Sequence, residues 1–452
     1  MTEAPSVPFA TALRTWTRIG LESFGGPAGQ IAVMHRVLVD EKRWISEERF
    51  LHALSYCMLL PGPEAQQLAT YVGWLLHGTR GGLAAGLLFV IPGALVMFTL
   101  SSLYAAFGTV PFVAALFVGV KSAVLALVLE ALVRIGRRAL KHRVHVAIAA
   151  AAFVAIFAFG VPFPAIVATA AGLGLWLARL FPATVASEAR PASGGGHAVD
   201  ALLDGALPQH AQASAGRALR VAATWLTLWL VPVAALAMAA GRHHVFTEIA
   251  VLFSKLAVVT FGGAYAVLAY VAQQAVATQG WLSAGQMLDG LGLAETTPGP
   301  LILVLQFVAY LAAYRDPGTL APWLAGAIGS AIALWVTFAP CFLWIFLGGP
   351  YIERVRGNAA LRGALSGITA AVVGVVANLA VWFSLHVVFG TVRPLRAGWL
   401  ALPVPELATL APAALAIAVA AAIAAFRFHV GMFALLAGSA VAGLALHAAG
   451  LA

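Results

Sequence analysis

The chain has 452 residues, 62% of them hydrophobic and only 10% charged, with a mean hydropathy of +0.94. A soluble globular protein is about a quarter charged, so this composition excludes a water-soluble enzyme and predicts an all-α polytopic membrane protein with apolar runs longer than the roughly 18 residues that span a bilayer. The formal net charge of +9 lies in short loops between apolar segments, which suits inner-leaflet loops beside anionic lipid and gives no nucleic-acid signal.

The opening stretch MTEAPSVPFATALRTWTRIGLESF has no charged leader followed by a long apolar core, so it is not expected to act as a cleaved signal. It carries Arg14, Arg18 and Glu22, spaced four apart and so on one helix face. They read either as snorkelling or mutually paired interfacial charges, or as an anion ligand in Arg18 and a proton-coupling group in Glu22. Phe24-Gly25-Gly26-Pro27 then breaks the helix, a basic loop follows from His35 to Arg49, and a second break comes at Pro61-Gly62-Pro63 with Glu64 behind it. Full spans are predicted near 83–107, 111–133, 144–160 and 162–180. Lys121 lies early in the second of them and Glu130 late. The polar, Gly-rich stretch from about Ala183 to Gly216 reads as a flexible linker. Beyond it, spans are predicted near 221–241, 321–348, 363–389, 409–426 and 428–450.

The break pattern occurs twice. A constant shift of 237 residues takes Phe24-Gly25-Gly26 to Phe261-Gly262-Gly263, Trp44 to Trp281, Ser46 to Ser283, and Pro61-Gly62-Pro63 to Pro298-Gly299-Pro300. The same shift takes Arg18 to Lys255, Ser23 to Thr260 and Gly81 to Gly318. The expected organisation is a first membrane repeat over 1–180, a cytoplasmic linker over 181–219 and a second repeat over 220–452. Equivalent loops differ in charge. The His35–Arg49 loop is basic and its mate, Ala272 to Gln286, carries no Lys or Arg. Positive loops stay inside, so the repeats are expected to be inverted, an arrangement that puts the substrate site of many transporters at the repeat interface. Parity then makes Pro8–Arg36 and Phe50–His77 re-entrant hairpins with GGPAG and PGP at their tips. It also puts the N-terminus in the cytoplasm and the C-terminus outside, with Arg393 and Arg396 outside as well.

Irregular backbone inside a bilayer survives only where protein or a water-filled cavity surrounds it. A half-helix restarting after a break aims its free N–H groups and positive dipole end at the gap, which suits an anion. FGG and PGP can also serve only to kink helices for packing; the doubled, inverted set favours a substrate site. The candidate set is Gly25, Gly26, Pro27, Pro61, Gly62, Pro63, Gln67, Gly262, Gly263, Pro298, Gly299 and Pro300, with Arg18, Lys121 and Lys255 as cations. Glu64 in the first turn of its half-helix is either a dipole-stabilised carboxylate or a proton-coupling group; its mate is Leu301. Gln66 and Gln306 offer neutral donors, while Glu295, Tyr71, Tyr265 and Tyr270 are weaker candidates and the histidines read as unremarkable. Cys57 and Cys341 read as packing residues. With no Walker A, HExxH, nucleophile elbow or Cys/His cluster, neither an enzyme nor a bound cofactor or metal is expected.

The stretches FGGPAGQIAVMHR, WISEERFLHALSYCMLLPGPEAQQLATYVGWLLHGTRGG, FGGAYAVLAYV and ETTPGPLILVLQFVAY closely resemble the two-domain chromate ion transporters, over nearly the whole chain. The resemblance implies a multi-pass protein of the bacterial inner membrane that exports chromate and confers resistance to it, with sulfate as the natural mimic. Its expected partners are such an anion and the lipid bilayer, with a homodimer left open. A sulfate or other oxyanion carrier and a passive anion channel stand as alternatives.

Overall fold

The computed structural model describes residues 7–180, 199, 211–261, 264–352 and 359–450. Gly262, Gly263 and most of the expected linker lie outside the described residues. Among the described residues, the regular structure is helical except for one β-hairpin. Among the described residues, five helices are long and apolar enough to cross a membrane by length and composition.

The elements follow the sequence punctuation. Helix α1 (Phe9–Glu22) is capped by Ser23, and α2 (Gly26–His35) starts behind Gly25; Gly25 and Gly26 have left-handed φ values of 85° and 65°. Pro27 fills the first turn of α2, where no N–H is needed. A π-helical turn (Arg36–Glu41) leads to α3 (Glu47–Cys57), which Ser46 caps by accepting from the Arg49 N–H. Helix α4 (Glu64–Phe107) is broken at His77 and Gly78 into arms 64–77 and 79–107. There follow α5 (Pro111–Ala139), α6 (Arg143–Phe159), α7 (Phe163–Leu180) and α8 (Ala215–Ala240). The second half runs α9 (Val245–Val259), α10 (Ala264–Ala272), a π-helical turn (Gln273–Thr278) and α11 (Ala284–Thr296). It continues through a 3₁₀ turn (Leu301–Leu303), α12 (Val304–Arg315), α13 (Pro322–Gly348) and α14 (Ala359–Val388). Strands β1 (Val392–Ala397) and β2 (Leu400–Pro405), then α15 (Pro412–Phe428) and α16 (Met432–Ala448), complete it.

Each element of the first half has a counterpart in the second, in order. The two π-helical turns superpose residue for residue under the shift of 237, Arg36 on Gln273 and Glu41 on Thr278. Ser283 caps α11 as Ser46 caps α3, here through a reciprocal pair in which Ser283 N–H donates to Gln286 and Gln286 N–H to the Ser283 hydroxyl. Among the described residues, helix α8 has no counterpart under the shift.

The described residues form two compact units that interleave the halves. One takes its residues from Met1–Phe98, Ala186–Ala264 and Thr297–Ala359, the other from Thr99–Val185, Tyr265–Thr296 and Ala360–Ala452. In the first unit the chain reverses twice. The Tyr56 and Tyr71 rings pack 5.7 Å apart across the turn at 58–63. Past Gly78 the second arm of α4 folds back on the first so closely that a Cβ on Gly73 would sit 2.5 Å from the Gly81 oxygen. Trp16, Phe50, Trp74, Phe89 and Phe346 fill the core there. The second unit is built on α5, which packs on α11, α15 and α16. In a bilayer no water drives helices together, so close packing of small residues does. A Cβ on Gly119 of α5 would lie 1.8 Å from the Ser439 oxygen of α16.

The β-hairpin is a feature that the predicted spans left as loop. Its strands pair antiparallel from Val392 opposite Pro405 to Ala397 opposite Leu400, and it turns at Gly398 with φ 62°.

Candidate functional site

The two breaks of the first unit are tied to each other. Where α1 ends, the Ser23 hydroxyl donates to the Ile19 carbonyl at 2.6 Å; at the matching end of α9, the Thr260 hydroxyl donates to Leu256. The Ser23 carbonyl accepts the Gly299 N–H at 2.7 Å, and the Thr260 carbonyl accepts the Gly62 N–H at 2.9 Å. The two bonds are images of one another under the shift of 237. A helix end inside a bilayer has orphan carbonyls that need a donor, and each copy's FGG end finds one in the other copy's PGP. Gly62 and Gly299 make this turn at φ 123° and 85°. The consequence is chemical: the glycine N–H is spent and prolines have none, so Pro61, Gly62, Pro63, Pro298, Gly299 and Pro300 shape the site without donating to a ligand. Free donors begin one residue later, at the first turn of α4, where half-buried Glu64 stands.

Four buried glutamines surround these turns. Gln30 donates to the Gly299 carbonyl at 2.6 Å, Gln67 to the Pro61 carbonyl at 2.8 Å, and Gln306 to the Ala94 carbonyl at 3.0 Å. Gln66 donates to the Thr70 hydroxyl. The amide oxygens of Gln66, Gln67 and Gln306 have no hydrogen-bond partner. Leaving a buried polar atom unpaired costs about 1–3 kcal/mol, so the region holds unspent, uncharged hydrogen-bonding capacity.

The candidate cations are placed elsewhere. Arg18 is 43% exposed and is held by Glu22 at 2.8 Å and Glu41 at 2.6 Å, while Arg36 joins Glu22 at 2.7 Å. Two arginines and two glutamates thus neutralise one another on the surface, and the Arg18 hydrogen bond holds the Glu41 carboxyl below the usual range. Lys255 is exposed on α9. Lys121 belongs to the second unit, where its ammonium lies 3.4 Å from Asp289 and the Tyr104 hydroxyl donates to the same carboxylate at 2.6 Å. Asp289 is 3% exposed. Sequence reasoning passed over it, although an aspartate inside an apolar helical run is itself a signal of function. The same unit holds Glu295, which accepts from Tyr265 at 2.6 Å and so links the helix entering the second PGP to the one leaving the second FGG. Glu130 pairs with Arg134 one turn along α5.

The sequence profile of the family described as "Chromate transporter" matches residues 10–175 and 247–444, which leaves out α8. A chromate transport protein of Pseudomonas aeruginosa is 34% identical over 82% of this chain and 80% of its own length. One from Cupriavidus metallidurans is 26% identical over 82% of both chains. A probable chromate transport protein of Synechococcus elongatus is 26% identical over 83% of this chain and 85% of its own. No solved structure matches.

Proposed function

The chain belongs to the chromate transporter family, and from that premise we propose that it is a secondary transporter that exports chromate, a tetrahedral oxyanion, across the bacterial inner membrane and so confers resistance. The observation that carries the mechanism is the exchanged pair of bonds, Ser23 to Gly299 and Thr260 to Gly62. It joins the two copies of the broken helix, so neither can move without the other, as a carrier alternating between two states requires. In this reading the oxyanion accepts from the leading N–H groups of α4 and from the second N–H of the Gln66, Gln67 and Gln306 amides, donors without the fixed charge that would hold a dianion too tightly to release; the unpaired amide oxygens, being acceptors, must face away from it. Gly25, Gly26 and Pro27 set the half-helix of α2 in place. Glu64 competes with the anion for the α4 terminus until it is protonated; Glu22 is a second proton-coupling candidate.

The repeats are inverted in this reading because each half has an even number of predicted spans and α8 adds one crossing between them. That puts the N-terminus and linker in the cytoplasm and the C-terminus in the periplasm. An inside-negative potential then drives export, since each charge moved through 100 mV is worth about 2.3 kcal/mol and a dianion gains roughly twice that.

Proteoliposomes under imposed voltage and pH gradients test the proposal. A carrier gives saturable chromate flux that trans-side chromate accelerates and that grows with voltage. Flux linear in concentration, without exchange acceleration, would mark a passive channel, and sulfate preferred over chromate would mark a general oxyanion carrier.

A further inference from the structure

The second unit contains a cavity that the paired breaks do not use. It has a volume of about 340 Å³, and its polar lining consists of Lys121 of α5, His386 near the end of α14, and the chain from Ala411 to Ala414 that starts α15. We propose that this cavity is an oxyanion site that fills together with a proton; the choice of oxyanion rests on the transport reading above.

Three groups of its lining can donate. The first is the Lys121 ammonium. The second is the α15 terminus: Ala411 N–H is spent on the Val388 carbonyl at 2.8 Å and Pro412 has none, so the N–H groups of Ala413 and Ala414 lead the helix without an intrahelical acceptor. The third is His386, whose role depends on protonation. Its Nδ1 lies 2.8 Å from the Trp382 carbonyl, which can only accept, so Nδ1 carries the hydrogen. The neutral ring therefore offers a lone pair at Nε2, which repels an anion. Only the imidazolium offers a second N–H there, so an anion bound to His386 brings a proton with it.

Asp289 sharpens the same linkage. It holds Lys121 from the other side, at 3.4 Å, and is itself held by Tyr104. An anion in the cavity competes with Asp289 for the ammonium, and a proton on Asp289 removes the competitor. The remaining charged groups on the packed elements lie aside. On α11, Glu295 is bound to Tyr265; on α15 and α16, Arg427 lies at the far end and His447 is exposed. On α6, Arg143 and His145 sit at the end away from the cavity. On the hairpin, Arg393 pairs with Glu406 at 3.2 Å, and Arg396 is exposed on the Val392 face. Among the described residues, Asp289 is thus the carboxylate that Lys121 meets. A neighbouring cavity of about 310 Å³ shares His386 and adds the neutral polar groups Gln273 and Asn378.

The test is calorimetric titration of the purified full-length chain with sulfate between about pH 5.5 and 8, the range in which histidine changes charge. Sulfate affinity should rise as pH falls. Lys121→Gln should weaken it about ten-fold, the loss of one charge-assisted contact. His386→Gln should flatten the pH dependence, and Asp289→Asn should tighten binding by freeing Lys121. The Lys121→Gln/Asp289→Asn double variant keeps packing and charge balance, so it should fold and still bind weakly. Wild-type affinity in Lys121→Gln, a pH slope that survives His386→Gln, or weaker binding in Asp289→Asn overturns the proposal. Chromate flux measured in parallel separates the two readings. Flux by the wild type with unaltered sulfate binding in the variants rejects the cavity alone. Absent flux with the predicted binding pattern rejects transport and leaves the cavity standing.

Discussion

Gly62 is the residue on which the geometry of the first break turns. Its φ of 123° is closed to other residues at low cost, and a Cβ there would meet the Gln67 amide nitrogen at 2.8 Å and the Cys341 sulfur at 3.0 Å. Gly62→Ala should cost about 1–3 kcal/mol of stability from backbone strain, read as a lowered unfolding temperature in detergent. Gly172→Ala, on an exposed helix position with nothing within 4 Å of the new methyl, should leave it unchanged or slightly raised. Equal losses at both positions would deny the turn its special role. The matched cations permit a second comparison. Arg18 is neutralised by Glu22 and Glu41, whose mates are Val259 and Thr278, so Lys255 lacks the counterparts that compensate Arg18. If these groups draw an anion toward the breaks, Lys255→Gln should slow chromate uptake at low ionic strength more than Arg18→Gln does. The deficit should fade as salt screens it over about 10 Å at 0.1 M. Unchanged flux in a well-folded Lys255→Gln variant would remove Lys255 from the pathway.

The helices of the second unit are held by surfaces rather than by single bonds, and their tolerance should follow backbone approach. Gly119→Leu forces a side chain into the space where the Ser439 oxygen lies 1.8 Å from the ideal Cβ. Neither backbone can yield, so about 3 kcal/mol or more should be lost, seen as a collapse of the monodisperse fraction in size-exclusion chromatography. Gly438→Leu, one residue from that contact but exposed and with nothing within 4 Å, should behave as wild type. Elements of this kind were legible in the sequence because length and hydropathy define them: the nine predicted spans have nine helices at their positions, and the breaks fall at FGG and PGP. The hairpin at 392–405 was not legible, since a proline and two arginines in β1 and two prolines in β2 mask the alternation that marks a strand. The partnership of Lys121 with Asp289 was hidden for a different reason. Nothing local in either helix announces a contact between residues so far apart in the chain, and the aspartate's mate in the first half is His52, so the repeat gave no help.

At the scale of the whole molecule, the repeat predicts more than shape. The π-helical turns Arg36–Glu41 and Gln273–Thr278 coincide under the shift, yet the first carries charge that the second lacks. Charge asymmetry between structurally equal loops is what opposite membrane sides demand. Asp40 and Ala277 are mates, one in each turn, and both are exposed. The native cysteines, Cys57 and Cys341, are buried and should contribute little background. Asp40→Cys and Ala277→Cys, each alone, therefore make a matched pair of reporters for one structural position. In right-side-out vesicles a membrane-impermeant maleimide should label Ala277→Cys and spare Asp40→Cys; in inverted vesicles the preference should reverse. Labelling of both from one face would make the repeats parallel. The crossing count would then have to change by one, and α8, which the inverted reading counts as the extra crossing between the halves, is the helix that would have to lie along the membrane instead of through it.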